Sequence, residues 1–273
     1  MPRAPLDGLI DDLYYLEGAP PYCRLSLPPM PSAVLIVNLG APFRISASTN
    51  VEAAEYADGV VITTLTQALH FGYPPETRSV GVDFKPWGLA PFLPMPAAEL
   101  RDRPMTVENV WGRRASVELR ERLAAATSPH EMLTLLEDEL LRRLRATAGL
   151  PLVRHTSAVL AATAGAVAIG ELSATAGVSR TYLAQRFTDV VGLTPKRLAR
   201  TYRFAAAVRA IDAAGPVDWS EVAHRAGFYD QAHFGNELRA CTGMTPTQYL
   251  GVRRRFLREH AGHPLDVGPL PAA

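Results

Sequence analysis

Apolar residues over the first hundred positions come in short runs broken by Pro and Gly. "AVLIVNLG", "FRISAS", "GVVITTLTQALHFGY" and "RSVGVDFKP" are β-prone and separated by turn chemistry. Such punctuation predicts several short strands folded as a sandwich or small barrel. Beyond Pro96 the spacing changes. "SVELRERLAAA" and "SPHEMLTLLEDELLRRLRA" repeat their apolar residues at three and four, the period of a helix. Ser128 is placed to cap the second, and Glu131 three positions on completes a capping box. Its acidic residues precede Arg142, Arg143 and Arg145, which suits the helix dipole. Gly149-Leu150-Pro151 ends this helix and marks the expected boundary. The expected division is therefore a β-rich domain over 1–149, a second domain over 150–258 and a tail over 259–273.

After Pro151 nearly every stretch reads as a short helix stopped by Gly, and two stretches repeat. "ELSATAGVSRTYLAQRFTDVVGLTP" aligns with "EVAHRAGFYDQAHFGNELRACTGMTP", the second carrying one extra residue at its turn. Each predicts helix, Gly-centred turn, helix. Gly177 and Gly227 fall where a sharp turn needs positive φ, which glycine adopts without steric cost. Ser179 and Asp230 follow as N-caps. Leu183 with Phe187, and Phe234 with Leu238, are spaced four apart and form one buried stripe on each second helix. The opposite faces hold Arg180, Thr181, Ala184 and Gln185 in one copy, and Gln231, Ala232, His233, Gly235 and Asn236 in the other. Small and polar faces beginning at a helix N-terminus are the make-up of a recognition helix entering a major groove. Gly-x-Thr-Pro closes each unit. Gly stops the helix, Thr caps the next, and Pro occupies its first turn, where no N–H is required. "TPKRLARTYRFAAAVRAI" is the long helix joining the units.

Charge sharpens this picture. The chain has 28 Lys and Arg against 27 Asp and Glu, a net +1. Residues 150–258 hold 14 basic against 7 acidic side chains (+7), and residues 1–149 hold 14 against 18 (−4); Glu259 and Asp266 complete the sum. A basic second half points to a polyanionic partner. Hydrophobic residues make up 48% of the chain, enough for a sizeable core and too many for a disordered one. Cys23 and Cys241 cannot build a disulfide framework, which suits a reduced, cytoplasmic compartment. No stretch reads as a signal peptide or a membrane span.

Residues from about Arg154 to Arg255 resemble the DNA-binding domain of AraC/XylS-type bacterial transcription regulators. The stretches "ELSATAGVSRTYLAQRF", "GLTPKRLARTYRFAAAVRAI", "VAHRAGFYDQAHFGNEL" and "GMTPTQY" carry the resemblance. It implies a seven-helix domain whose two recognition helices lie in successive major grooves of double-stranded DNA. Carried over by position, Arg180, Thr181 and Gln185 would serve the first unit, and Gln231, His233 and Asn236 the second. The family usually has Ser where Ala232 stands and often Ser-Arg where Gly235-Asn236 stands, so the second unit has less reach toward bases. More loosely, "GVDFKPWGLAPFLPMPAAELRDRPMTVENVWG" resembles the sensor-like domains that precede such units. That implies an α+β chain of two domains: a cupin-like β-barrel with helices, then an all-α domain with two helix-turn-helix units.

Arg200 and Arg203 on the joining helix are candidate phosphate contacts. Arg253, Arg254 and Arg255 read as a solvated face. Tyr73, Trp87 and Trp111 are candidates for an effector pocket as well as for the core. His70 is the lone histidine before His130, so no metal is expected. No cofactor is expected, and no phosphate loop, nucleophile elbow or HExxH supports an enzyme. The expected function is a one-component regulator with small-molecule control. The alternatives are a first domain that binds another protein without any ligand, or an enzyme domain fused to the DNA-binding unit. RNA polymerase would be a partner of an activator, and helices near Ser116 to Ala146 offer a surface for a homodimer.

Overall fold

The computed structural model describes residues 2–20, 22–47, 52–259 and 270–271. Its strands are β1 (Ile10–Gly18), β2 (Arg24–Leu27), β3 (Ala33–Asn38), β4 (Phe43–Ser46), β5 (Ala54–Tyr56), β6 (Gly59–Ile62), β7 (Leu69–Gly72), β8 (Thr77–Phe84), β9 (Met105–Thr106) and β10 (Leu270–Pro271). They form two antiparallel five-stranded sheets, ordered β1-β8-β3-β6-β9 and β10-β2-β7-β4-β5. The β-rich expectation holds, but the two sheets do not close into a barrel among the described residues.

Both faces of the first sheet are covered, which is why "AVLIVN" is apolar at nearly every position. Leu35 and Val37 on β3 pair with Val82 and Val80 on β8, and all four join the core beneath the helices. Ile36 turns the other way and packs with Phe43, Ile45 and Phe71 of the second sheet. The edge strand β1 carries Asp11, Asp12 and Glu17, which interrupt the alternation that would mark it in the sequence. Charge on an edge also discourages pairing with another chain. Tyr14 on β1 faces Gly81 on β8, and a Cβ at Gly81 would come within 2.2 Å of the Tyr14 ring. Glycine is what lets the ring lie across the neighbouring strand.

The helices are α1 (Val107–Trp111), α2 (Arg113–Ala125), α3 (Pro129–Arg143), α4 (Leu150–Ala162), α5 (Ile169–Thr175), α6 (Arg180–Val191), α7 (Pro195–Arg209), α8 (Trp219–Arg225), α9 (Gln231–Thr242) and α10 (Pro246–Glu259). Ser128 caps α3 as predicted, its hydroxyl accepting from the Glu131 N–H at 3.2 Å. The Glu131 carboxylate closes the box one residue earlier than expected. It accepts from the N–H and hydroxyl of Thr127 at 2.7 and 2.9 Å, which holds its pKa below the ordinary value. Among the described residues no helix is long and apolar enough to cross a membrane.

The apolar core does not divide at the expected boundary of 149/150. One cluster runs from Leu35 and Val82 through Leu119 and Leu136 to Leu183, Phe187 and Leu198, and so joins sheet, connecting helices and α6. A second begins within α7 at Phe204 and takes in Phe234, Leu238 and Tyr249. At the seam, Arg101 donates from Nε to the Gly192 carbonyl at 2.6 Å. Gly192 has φ +82°, and a Cβ there would stand 3.0 Å from the Ala97 carbonyl oxygen.

Candidate nucleic-acid interface

Two helix-turn-helix units are built from the repeated stretches, α5–α6 and α8–α9. Gly177 and Gly227 take φ of +67° and +73° at the two turns. Ser179 then caps α6, accepting from the Tyr182 N–H at 3.1 Å, and Asp230 caps α9, accepting from the His233 N–H at 2.7 Å. Leu183, Phe187, Phe234 and Leu238 are fully buried (0% exposed), so the rotation of both second helices about their axes is fixed by packing. That rotation leaves Arg180, Thr181 and Gln185 exposed on α6, and Gln231, His233 and Asn236 exposed on α9. Gly192 and Gly243 end these helices in the left-handed conformation, at φ +82° and +75°. Thr194 caps α7, and Thr245 with Gln248 forms a reciprocal box at the start of α10.

Several of these side chains have partners inside the protein. Gln185 donates from Nε2 to Asp189 Oδ1 at 2.8 Å, and Asp189 also pairs with Arg186 at 2.9 Å. The Arg180 guanidinium lies over Gly170 of α5, where an added Cβ would come within 2.5 Å of it. The Gln231 side-chain oxygen accepts from the Ser220 hydroxyl at 3.3 Å. His233 is folded into its own turn: Nδ1 accepts from the Tyr229 N–H at 3.4 Å, and the ring meets Phe228 edge-on.

Arg200 and Arg203 lie on α7, facing a cleft of about 640 Å³ between the units that Lys196, His233 and Glu237 also line. Arg200 pairs through Nε with Glu237 of α9, and Arg203 donates to the Gly165 carbonyl at 3.0 Å. Both candidate phosphate contacts thus hold other parts of the protein. Arg253 and Arg254 are not the solvated face their run suggested. Arg253 is 6% exposed and donates to the Val208 carbonyl at 2.9 Å. Arg254 donates to the carbonyls of Ala213 and Gly215 at 3.0 and 2.6 Å. Arg253 thus adds a donor to a carbonyl in the last turn of α7, and Arg254 holds two carbonyls of the loop that follows it.

Two exposed aromatics escaped the sequence reading. Tyr182 stands on the first turn of α6 with its side chain under the Arg186 guanidinium, 5.4 Å from the ring centre. Tyr229 is 93% exposed in the turn before α9. The signal for Tyr229 was the one extra residue in the second copy of the repeat.

Residues 172–251 match the family described as a helix-turn-helix domain. The C-terminal unit is an AraC-type helix-turn-helix domain. Such a domain binds DNA in transcription regulators. Ahead of the AraC-type domain, residues 1–106 match a domain of unknown function (DUF6597). None of the curated proteins matches the chain. Among solved structures the chain is similar to ToxT from Vibrio cholerae in one crystal form, at 9% identity and TM-score 0.48 over 88% of this chain and 97% of that one. It is also similar to ToxT bound to (E)-4-(8-methylnaphthalen-1-yl)but-3-enoic acid, at 10% identity and TM-score 0.49 over 88% and 97%. A third likeness is to unsaturated fatty acid bound wild-type ToxT from strain SCE256, at 10% identity and TM-score 0.46 over 88% and 93%.

The domain that precedes the AraC-type domain contains a cavity of about 490 Å³ between its two sheets. Tyr73 lines it, along with Val34, Ile36, Ile62 and Phe71. Trp87 and Trp111 do not. Trp87 is 8% exposed and donates to the Gly8 carbonyl at 3.0 Å, while Trp111 donates to the Phe92 carbonyl at 2.9 Å under the Arg143 guanidinium. Both indoles tie connecting segments to the core. His70 sits on β7, where burial and the nearby Arg24 charge lower its pKa. Among the described residues no three His, Cys, Asp or Glu side chains gather as a metal would require.

Proposed function

We propose that the chain is a sequence-specific transcription regulator that reads two successive major grooves with α6 and α9, under the control of a small molecule bound in its N-terminal domain. One observation carries the DNA part: two capped, Gly-turned helices present their polar faces to solvent while their apolar faces are fully buried. Arg180, Thr181 and Gln185 read bases from α6, with Tyr182 beside them. Gln231 and Asn236 serve α9, while Ala232 and Gly235 reach nothing, so α9 contributes more to position than to sequence. Lys196 and Arg197, exposed and without an ion-pair partner among the described residues, contact phosphates at the start of α7. Arg200 and Arg203 act as braces across the cleft.

Control through the N-terminal domain is supported by the cavity between its sheets and by the core that runs unbroken from the first sheet into α6. A change on one side of that core reaches the other by packing. The test is fluorescence anisotropy of the full chain on a duplex recovered by binding-site selection, repeated across salt. Neutralised phosphates release counterions, so log affinity falls linearly with log salt. Binding that ignores salt, or that selects no sequence, would remove the proposal.

A further inference from the structure

The cavity between the sheets carries a carboxylate that no ion pair or hydrogen bond answers among the described residues. Asp83 on β8 lines it, and no hydrogen bond or ion pair holds its carboxylate among the described residues. Desolvation, with Asp12 and Asp11 nearby, pushes its pKa up to about 6. Asp83 is half-buried, and a carboxylate partly withdrawn from water without a partner carries a desolvation cost. Asp11 has one, since Lys85 Nζ stands 3.9 Å from it. Arg209 at the end of α7 also lines the cavity, but it is exposed and makes no ion pair among the described residues. Asp83 is left facing the space.

The rest of the wall has a consistent chemistry. Tyr14 and Tyr73 line it, and neither hydroxyl has a hydrogen-bond partner among the described residues. Burial raises the pKa of both. Phe71 and Tyr73 stand 5.0 Å apart between ring centres, presenting aromatic surface beside the carboxylate. Aromatic faces attract cations and repel anions through the ring quadrupole. Leu27, Val34, Ile36 and Ile62 supply an apolar floor. Pockets for small ligands have this composition: mostly apolar, with a few polar groups that fix orientation.

We propose that this cavity binds an apolar or aromatic small molecule carrying one positively charged amine, with the ammonium against Asp83 and its body among Phe71, Tyr73 and the aliphatic floor. The proposal rests on the reading of the N-terminal domain as a small-molecule sensor and names the class of ligand it takes. The Asp83 carboxylate accepts from the ammonium, the tyrosine hydroxyls complete its hydrogen bonds, and Arg209 lies at the edge of the same space, on the helix that joins the two DNA-reading units.

The test is calorimetric titration of the full chain with 2-phenylethylamine and with 3-phenylpropionate, which differ chiefly in the sign of the charge. The amine is expected to bind at least about tenfold tighter than the carboxylate. Asp83→Asn is expected to abolish that preference while still melting cooperatively and binding DNA without added ligand. Three results would overturn the proposal: no binding of the amine at millimolar concentration, a carboxylate that binds as tightly as the amine, or a preference that survives in Asp83→Asn. Binding of the amine with DNA affinity unchanged would uphold the cavity's ligand class and remove only the control reading.

Discussion

Arg200 and Glu237 tie the joining helix to the second recognition helix, and that link separates two roles for Arg200. Glu237 is 6% exposed on α9, with the Cys241 thiol at 3.8 Å as its other contact. Burial and the Glu237 charge push that thiol up to about 12, so it remains a weak neutral donor. Removing one partner of a fully buried ion pair costs about 3–5 kcal/mol, because the other charge stays buried alone. The Arg200 side chain is 59% exposed, so water reaches the pair from one side. Discounting for that screening leaves roughly 1–3 kcal/mol for Arg200→Ala. Glu237→Gln should cost less, since it keeps the shape and removes the charge. The assay is a double-mutant cycle by urea unfolding of the full chain, with DNA affinity measured across salt for each variant. A brace predicts favourable coupling between the two positions, weaker DNA binding in both variants and an unchanged salt slope. If Arg200 instead contacts phosphate, Arg200→Ala lowers the salt slope by about 1. That result, with Glu237→Gln leaving stability and affinity untouched, would refute the bracing argument.

Gly192→Ala and Gly243→Ala both force alanine into the left-handed region, at a cost of roughly 1–2 kcal/mol each. Only Gly192 also meets the Ala97 backbone, while none of the described residues stands within 4 Å of a Cβ at Gly243. Thermal melts should therefore rank Gly192→Ala as the less stable, and equal loss would mean the seam is not closely packed. Asp83 makes stability depend on pH with a definite sign. Its pKa is about 6 in the folded chain against an ordinary 3.8, so the folded state holds the proton longer and stability falls as pH rises from about 4 to about 6. Asp83→Asn should raise the melting temperature at pH 7 and leave it unchanged near pH 3.5; stabilisation at both would contradict the assigned cause.

Much of the AraC-type domain was legible because its signals are local. Gly177, Ser179, Gly192, Thr194 and Pro195 each act within one turn of backbone, and their second copies confirm the pattern. The buried stripes followed from four-residue spacing alone. What the sequence concealed depends on distant partners. Arg253 and Arg254 look like a surface charge run, yet they satisfy carbonyls at Val208, Ala213 and Gly215 that only the fold brings near. The strand β1 went unseen because its acidic residues belong to a sheet edge. Trp87, Trp111 and Tyr73 were alike as aromatics, and only packing separated the two indoles in the core from the tyrosine at the cavity. The partner of Gln185, by contrast, stood four residues along its own helix, a spacing that could have been read in advance.

Binding-site selection from random duplexes tests the central claim most directly, using the full chain, Gln185→Ala, and the double variant Gln231→Ala with Asn236→Ala. The wild-type chain is expected to select two blocks of preferred bases about 10–10.5 bp apart, one per recognition helix. Gln185→Ala should relax preference in one block only, by about 1–3 kcal/mol for a lost bidentate contact. The double variant should act on the other block and more weakly. A single block, or a Gln185→Ala chain that selects the wild-type sequence unchanged, would contradict the account.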